Sequence, residues 1–310
     1  MLAAALTGCT GTGTQQESAG QTGQSQEESL APAESQASAE STSVEETQAG
    51  VPKYVFLFIG DGMSYPQVQL TNYYLSASQG QNAGTVTVEG EEKTKLDSKN
   101  NLTMMNFPIA GSAQTYDSTS FAPDSASTAT SIATGNKTWS GSINVSEDFT
   151  QTYETIAEKL KAQKDMKIGI LSTVNLNHAT PAAFYAHQAS RSSYYDIGLE
   201  MIDSGFDYFA GGGLLQPTGK EKDKEDLYAL AEAAGYKVVQ TQAEAEALKA
   251  EDGKVIAIDE HLADSSAMSY ELDRAEEEWA LADYVEKGIE VLDNDCLLYT
   301  SDAADDLIGV

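Results

Sequence analysis

The chain has 310 residues, enough for one large α/β domain or two smaller ones. Its formal net charge is −30, from 48 acidic and 18 basic side chains. The sequence therefore offers no basic patch that could replace the counterions of a nucleic-acid backbone, and nucleic-acid binding is excluded. A small anionic substrate is compatible with this charge, because a bound metal ion reverses the potential locally.

The first nine residues, MLAAALTGC, look like the remnant of a bacterial lipoprotein signal. The apolar stretch before Cys9 is too short to span a bilayer and lacks the basic start of a secretory signal, so we interpret the start as truncated or misassigned. Lipidation of Cys9 would anchor an extracytoplasmic protein to the cell envelope and would be its only membrane contact. The alternative is a chance cysteine in an Ala-rich leader, in a protein that is secreted.

Residues 10–50 contain seven Glu, no Lys or Arg and no aromatic residue. Such a segment cannot bury enough apolar surface to offset its ordering entropy, so we predict a disordered Ser/Gln/Glu-rich linker. Folded sequence is expected over residues 51–295. The segment CLLYTSDAAD (296–305) looks like a translated sequencing adapter, and residues 296–310 are therefore interpreted as a non-native tail. The alternative is a genuine acidic C-terminal tail.

The intervening sequence alternates between short apolar runs and helical periodicity. This pattern predicts a largely parallel central sheet with helices on both faces and a site at the carboxyl ends of the strands. The run that starts at Tyr54 is continuous, which is typical of a strand buried on both faces. The predicted strands are 54–59, 167–173, 206–210 and 255–258, and the predicted helices include 152–163 and 277–292.

Asp61 comes directly after the first predicted strand, between Gly60 and Gly62. A carboxylate at a strand end is well placed to bind a cation. Asp-Gly turns are common after strands, so this feature alone is weak evidence for a metal site.

The segment PDSASTATSIATG (123–135) consists mostly of small residues and predicts a tightly packed helix. Asp124 is the expected N-cap and Gly135 the expected C-terminal stop. Ser125 would then lie in the first turn, where free N–H groups and the helix dipole favour an anion. Because no histidine base is near in the sequence, a nucleophilic Ser125 would need activation by a metal ion. The alternative is an ordinary capped Ser/Thr-rich helix.

The segment HATPAAFYAHQASR (178–191) follows the strand predicted at 167–173. We expect His178 and Thr180 on a loop that leads into a helix starting at Pro181. Arg191 would lie about three turns further on, with a guanidinium able to hold phosphate bidentately. His187 is interpreted as a structural helix histidine. A single arginine is usually a surface residue, so the chemistry of this segment alone leaves its role open.

Taken together, IGDGM (59–63), PDSASTATSIATG and HATPAAFYAHQASR resemble three motifs of the alkaline phosphatase family, in the family's order. GGG (211–213) and YELDR (270–274) also fit, and the resemblance covers about residues 51–295. It implies an N-terminal part of that catalytic domain, which hydrolyses phosphomonoesters through a phosphoserine. In the implied roles Ser125 is phosphorylated, Arg191 holds two phosphate oxygens, and Asp124 orients the arginine.

The resemblance also implies two zinc ions and one magnesium ion. Asp61 would bridge a zinc and the magnesium, Ser125 would be a zinc ligand, and Thr180 would bind the magnesium. His178 would act near the magnesium without coordinating it. The family's remaining ligands come later in its sequence, whereas the only histidine after residue 187 here is His261. We therefore expect the chain as given to be incomplete and inactive.

Two alternatives stay open at this point. One is a sulfatase-like or phosphodiesterase member of the same superfamily, although the C/S-x-P-x-R context of sulfatases is absent around Ser125. The other is a lipid-anchored solute-binding protein, which would need neither metal nor phosphoserine. A homodimer is an expectation that the sequence itself does not decide.

Overall fold

The computed structural model describes residues 52–78, 82–96, 102–293 and 297–303. Cys9, the predicted linker 10–50 and Cys296 lie outside these ranges. The strands are β1 (Tyr54–Gly60), β2 (Asn82–Val88), β3 (Glu91–Leu96), β4 (Lys167–Ser172), β5 (Tyr208–Gly211), β6 (Tyr236–Val239), β7 (Lys254–Ile258) and β8 (Leu297–Ala303). The α-helices are α1 (Tyr65–Ser78), α2 (Ser125–Thr134), α3 (Ile156–Lys164), α4 (Ala179–Ala182), α5 (Tyr194–Asp203), α6 (Leu227–Ala233), α7 (Gln242–Glu246) and α8 (Leu281–Leu292).

Six strands form one sheet in the order β1-β8-β4-β5-β7-β6, and every neighbouring pair is parallel. Alternate residues of β4 enter different cores: Ile168 and Ile170 pack with α2, α4 and α5, whereas Leu171 packs with α8. Helices therefore cover both faces of the sheet. The prediction of a parallel α/β fold is confirmed. Strands β2 and β3 form a separate antiparallel hairpin.

Strand β1 departs from the predicted burial. Its residues alternate, so that Val55, Leu57 and Ile59 pack against the core while the opposite face stays exposed. On that face Tyr54 is 39%, Phe56 41% and Phe58 64% exposed. The expectation of a strand buried on both faces is wrong, because β1 is an edge strand and α8 packs mainly on β4 and β5, further into the sheet.

Capping interactions set the starts of two predicted helices later than periodicity suggests. Helix α3 begins at Ile156 because the Thr155 hydroxyl accepts from the Glu158 N–H at 3.1 Å and the Glu158 carboxylate accepts from the Thr155 N–H at 2.7 Å. This reciprocal pair is a capping box. Helix α8 begins at Leu281, where the Asp283 carboxylate accepts the Ala280 N–H at 2.7 Å.

Several elements have no counterpart in the sequence prediction, namely α1, α5, α6, α7, β6 and the β2–β3 hairpin. Strand β8 is a further one, because residues 296–310 were expected to form a non-native tail. It lies between β1 and β4, in register with both. A place in the sheet does not reveal the origin of this segment, which stays a prediction. Among the helices that the structure describes, none has both the length and the apolar character needed to span a bilayer.

Candidate active site

The carboxyl ends of the parallel strands meet along one edge of the sheet, where α/β proteins place their sites. Asp61 follows β1, the segment 173–180 follows β4, and the glycine run 211–213 follows β5. Because β8 separates β1 from β4, the ends of those two strands are about 10 Å apart, two inter-strand spacings. Asp61 and the segment that leads to Thr180 thus both leave the sheet at this edge, with β8 between their strands of origin.

Helix α2 is built as its sequence predicts. The Asp124 carboxylate caps its first turn, accepting from the Ser127 N–H at 3.0 Å and the Ser127 hydroxyl at 2.8 Å. Gly135 ends the helix in the left-handed conformation, with φ 75° and its N–H bonded to the Ser131 carbonyl. The buried alanines of this helix let it pack closely against α4. The predicted N-cap and C-terminal stop are both confirmed.

Ser125 is the first residue of α2 and is half-buried. Its hydroxyl makes no hydrogen bond within the part of the chain that the structure describes. A hydroxyl in the first turn of a helix lies where backbone N–H groups and the helix dipole favour negative charge. The Ser125 hydroxyl therefore lies at a helix start that favours an anion.

Arg191 brings two of the predicted motifs together. Its Nη1 donates to Asp124 Oδ2 at 3.0 Å, across 67 residues of sequence, and its Nη2 lies 3.3 Å from His178 Nε2. Because a guanidinium only donates, this contact requires His178 Nε2 to accept, with the ring proton on Nδ1. Asp124, His178 and Arg191 are thus one cluster beside the start of α2.

The charge of Asp124 is held by its surroundings. Burial by itself would raise the pKa of this carboxyl, but hydrogen bonds from the Gly141 N–H, from Ser127 and from Arg191 outweigh burial and lower it. The side chains of Arg191 and Asp124 are 26% and 23% exposed, so solvent screens the pair only in part. Asp124 therefore stays a carboxylate at neutral pH and can fix the orientation of the guanidinium.

The segment after β4 differs from its prediction in three respects. Helix α4 starts at Ala179, not at Pro181, and it ends at Ala182. His187 and Arg191 consequently lie outside any helix, in the connection to α5. The helix stops early because the Asn144 amide takes the carbonyls of Ala183 and Ala186, at 2.7 and 2.8 Å. Thr180 is on α4 and only 8% exposed.

His187 lies between two carboxylates, 3.5 Å from Glu158 and 3.6 Å from Glu200. Burial alone would lower the pKa of this imidazole, but the hydrogen bonds and charges of the two carboxylates raise it to about 9. His187 is therefore a cation at neutral pH that ties α3 and α5 to the segment leading to Arg191. A protonated imidazole cannot bind a metal, in keeping with its predicted structural role.

The described residues do not assemble a complete metal centre. Within them, no three His, Cys, Asp or Glu side chains come close enough together to hold an ion. A catalytic zinc usually needs about three protein ligands and a structural zinc four. His261, beyond β7, donates its backbone N–H to Asp259 at 2.7 Å and joins none of the predicted ligands. Asp61, Ser125 and Thr180 are suitable donors but fall short of the sets that two zinc ions and one magnesium ion need.

Glycines shape the same edge of the sheet. A Cβ on Gly211, whose φ is 117°, would lie 2.0 Å from the Ser172 carbonyl oxygen, and one on Gly212 would lie 2.2 Å from the Val174 carbonyl oxygen. Only glycine allows such contact between the ends of β4 and β5. The GGG run therefore has a packing function beside the site.

Asp117 is a further residue that supports α2 and was missed from the sequence. It is 5% exposed and accepts from the N–H groups of Thr119 and Ser120 at 2.8 and 2.6 Å. It also lies 2.9 Å from the Ser127 hydroxyl, whose single proton is within reach of both Asp117 and Asp124. The signal available was the turn-forming pattern DSTS (117–120), since an Asp side chain often accepts from N–H groups two and three residues on. Asp117 therefore helps to hold Ser127, the residue that the Asp124 cap also binds.

Fold and site define a parallel α/β protein in which a serine on a helix start lies beside an arginine–aspartate pair. The chain belongs to the alkaline phosphatase family, since the family model described as alkaline phosphatase matches residues 52–297. The human tissue-nonspecific alkaline phosphatase is 33% identical over 162 residues, which cover 49% of this chain and 28% of the human protein. The match thus spans less than a third of that relative's length.

Solved structures give the same result. The alkaline phosphatase of the Antarctic bacterium TAB5 aligns with a TM-score of 0.60 and 25% identity, over 81% of this chain and 65% of that one. A variant of the TAB5 enzyme, with 26% identity and the same TM-score over 81% of this chain and 64% of that one, was solved with magnesium bound in its M3 site.

Proposed function

We propose that the protein hydrolyses phosphate monoesters, with Ser125 as the nucleophile that takes the phosphoryl group. The observation that carries this proposal is the position of Arg191. Its guanidinium is fixed to Asp124, the cap of the helix whose first residue is Ser125. A guanidinium and a hydroxyl that has no hydrogen bond among the described residues are thereby held at the same helix start, the arrangement that positioning of a phosphoryl group requires.

The side chains of this cluster have separable tasks in the proposed reaction. Asp124 is held by Ser127 and Gly141 and in turn holds one edge of the Arg191 guanidinium. The remaining N–H donors of Arg191 are suited to two phosphate oxygens, because a guanidinium presents its donors as a planar fork. Ser125 Oγ forms the new bond to phosphorus as the alcohol of the substrate leaves, and water then releases phosphate from the serine.

We also propose that Asp61, Ser125 and Thr180 contribute ligands to a metal centre of two zinc ions and one magnesium ion, with His178 beside it. Family membership and the magnesium-bound TAB5 variant support this assignment. The described residues supply only part of each ligand set, so no step of the reaction is assigned to an ion. Elemental analysis of protein that carries phosphatase activity tests the proposal, and metal content that Asp61→Ala and Thr180→Val both leave unchanged would refute it.

Replacement of Ser125 tests the function directly. In protein that carries phosphatase activity, Ser125→Ala should lower aryl phosphate turnover by on the order of 10³-fold or more, as loss of a covalent nucleophile does. Labelled phosphate at mildly acid pH should attach to Ser125. Ser131→Ala is the matched control on the same helix, because the Ser131 hydroxyl only donates to the Ser127 carbonyl. Labelling at another residue, or full activity of Ser125→Ala, contradicts the assignment.

We further propose an extracytoplasmic location, with Cys9 as the lipid attachment point. This proposal rests on the sequence LTGC (6–9) and on the polar segment that follows it. When the protein is expressed in a bacterium with its natural upstream sequence, it should partition into detergent, and Cys9→Ser should release it. An unmodified Cys9 in a cytosolic product would overturn this proposal.

A further inference from the structure

Residues 141–145 form a buried segment beside the connection that carries Arg191. Ile143 and Gln188 exchange both backbone hydrogen bonds, at 2.9 and 3.0 Å, and the Ser142 hydroxyl donates to the Ala189 carbonyl at 3.0 Å. Ser142, Ile143 and Asn144 are each at most 2% exposed. Hydrogen bonds therefore fix the 141–145 segment against the connection that runs from Ala183 to Arg191.

At one end of this segment, Gly141 joins the two members of the predicted phosphate site. Its carbonyl accepts from the Arg191 N–H at 2.7 Å, and its N–H is one of the groups that lower the pKa of Asp124. Its φ of 84° lies in the left-handed region, where glycine is favoured. Gly141 thus fixes the backbone of Arg191 and also favours the charged form of Asp124.

At the other end, Asn144 joins helix α2 to the start of the same connection. Its backbone N–H donates to Thr130 Oγ1 at 3.0 Å, on the second turn of α2. Its side-chain amide donates to the Ala183 and Ala186 carbonyls, at 2.7 and 2.8 Å. Asn144 is completely buried and has a φ of 50°, which Asn tolerates better than most residues.

We propose that Asn144 is a positioning residue, which sets the place of Arg191 relative to Ser125. This inference rests on the proposed function of those two residues. Ser125 lies on α2, and Arg191 lies at the end of the connection that starts at Ala183. Asn144 is hydrogen-bonded both to α2 and to this connection. A shift of either one would leave buried N–H groups of Asn144 without acceptors, which costs free energy. The hydrogen bonds of Asn144 therefore reinforce the ion pair between Arg191 and Asp124, because they fix the connection to α2.

The test compares two buried asparagines that make equivalent bonds. Asn144→Gly keeps the left-handed conformation accessible but removes the amide. Asn175→Gly removes an amide that bridges the Ser265 and Ser266 carbonyls, at 2.8 and 3.1 Å, and that touches neither α2 nor the Arg191 connection. With the full chain, inorganic phosphate affinity is measured by calorimetry, and backbone exchange of residues 186–191 by mass spectrometry, at a temperature where both variants are folded.

We expect Asn144→Gly to weaken phosphate binding about tenfold, the effect of one buried hydrogen bond at the upper end of its usual range. Asn175→Gly should leave affinity unchanged. In an Arg191→Ala background, Asn144→Gly should cause no further loss, because it acts through that arginine. Equal affinities of the two Asn variants, or additive losses in the double variant, would overturn the proposal. If Asn144→Gly does not fold, Thr130→Val removes the acceptor for the Asn144 N–H, with Thr130→Ser as the rescue.

Failure of the proposed function gives a different pattern. If wild type and Arg191→Ala bind phosphate equally well, Arg191 is not a phosphate residue, and if neither binds it the affinities allow no comparison. In both cases the exchange measurement alone decides. Faster exchange of residues 186–191 in Asn144→Gly than in Asn175→Gly then still supports positioning by Asn144. Equal exchange in the two variants rejects it.

Discussion

Asp124 combines two tasks that are often given to separate residues. One oxygen caps α2 through Ser127, and the other accepts from Arg191. Because both bonds favour the ionised carboxylate, they lower its pKa together against the effect of burial. Removal of the carboxylate by Asp124→Ala would therefore weaken the helix start and release the guanidinium in one step, so this residue links local stability to the proposed chemistry.

His187 shows how a residue near the site can support it without touching substrate. Its cationic ring joins Glu158, which caps α3, to Glu200 on α5, and Gln188 follows it in the segment fixed to residues 141–145. The pKa of His187 is raised to about 9, above the ordinary 6.5. A group whose pKa is higher in the folded state stabilises that state only while it is protonated.

His187 makes the free energy of unfolding depend on pH. The contribution of His187 is fully present below pH 6.5 and is lost as pH rises through about 9. Urea unfolding should show the free energy of unfolding falling by roughly 2–3 kcal/mol over that range in wild type. The decrease should be largely absent from His187→Gln. His261→Gln, at an exposed position, is the control, and an identical pH profile for His187→Gln and wild type would contradict this role.

At the scale of elements, the site depends on how closely β4 and β5 end beside each other. The backbone of Gly212 lies so near Val174 that no side chain fits between them. The Gly212 N–H is bonded to the Ser172 carbonyl at 3.0 Å, and the Gly213 carbonyl accepts from the Leu176 N–H at 3.1 Å. These bonds guide the chain from β4 towards α4, where Thr180 lies.

Gly212→Ala should therefore destabilise the fold by more than about 3 kcal/mol, because its Cβ would meet backbone that cannot move alone. Gly111→Ala is the matched control, since a Cβ there meets nothing within 4 Å and the φ is not positive. Chemical denaturation of both variants measures the difference. If Gly212→Ala is as stable as Gly111→Ala, the close approach of the two strand ends is not a constraint.

At the scale of the whole molecule, β1 presents a row of aromatic side chains to solvent. Phe56 and Phe58 are stacked, with ring centroids 6.4 Å apart, on an edge strand of the sheet. An exposed apolar edge strand promotes association between molecules. The net charge of −30 opposes association at long range, so added salt should reveal the attraction.

Phe58→Thr should reduce light scattering of concentrated protein in high salt, while changing the free energy of unfolding by no more than about 0.5 kcal/mol, as at other exposed sites. Phe121→Thr makes the same substitution at a residue that is 98% exposed and outside the row. Scattering that drops equally in both variants would show that general hydrophobicity, not the β1 row, drives association.

Sequence alone determined the features that depend on neighbours along the chain. Apolar runs located β1, β4, β5 and β7, and short polar signals located both ends of α2 at Asp124 and Gly135. Capping bonds and strand patterns span only a few residues, so they can be read locally. Ordered motifs also indicated the family, which the family model confirms.

Tertiary structure decided what depends on distant partners. The pairing of Arg191 with Asp124 spans 67 residues, and the family resemblance indicated it where no pattern within this chain did. Helix α4 stops early because Asn144, far back in the sequence, takes the Ala183 and Ala186 carbonyls that follow the helix. For the same reason His187 and Arg191 are not helical. Exposure of one face of β1 follows from its place at the sheet edge. No pattern of neighbouring residues predicts these contacts, because each hydrogen bond or packing contact forms only when folding brings a distant partner near.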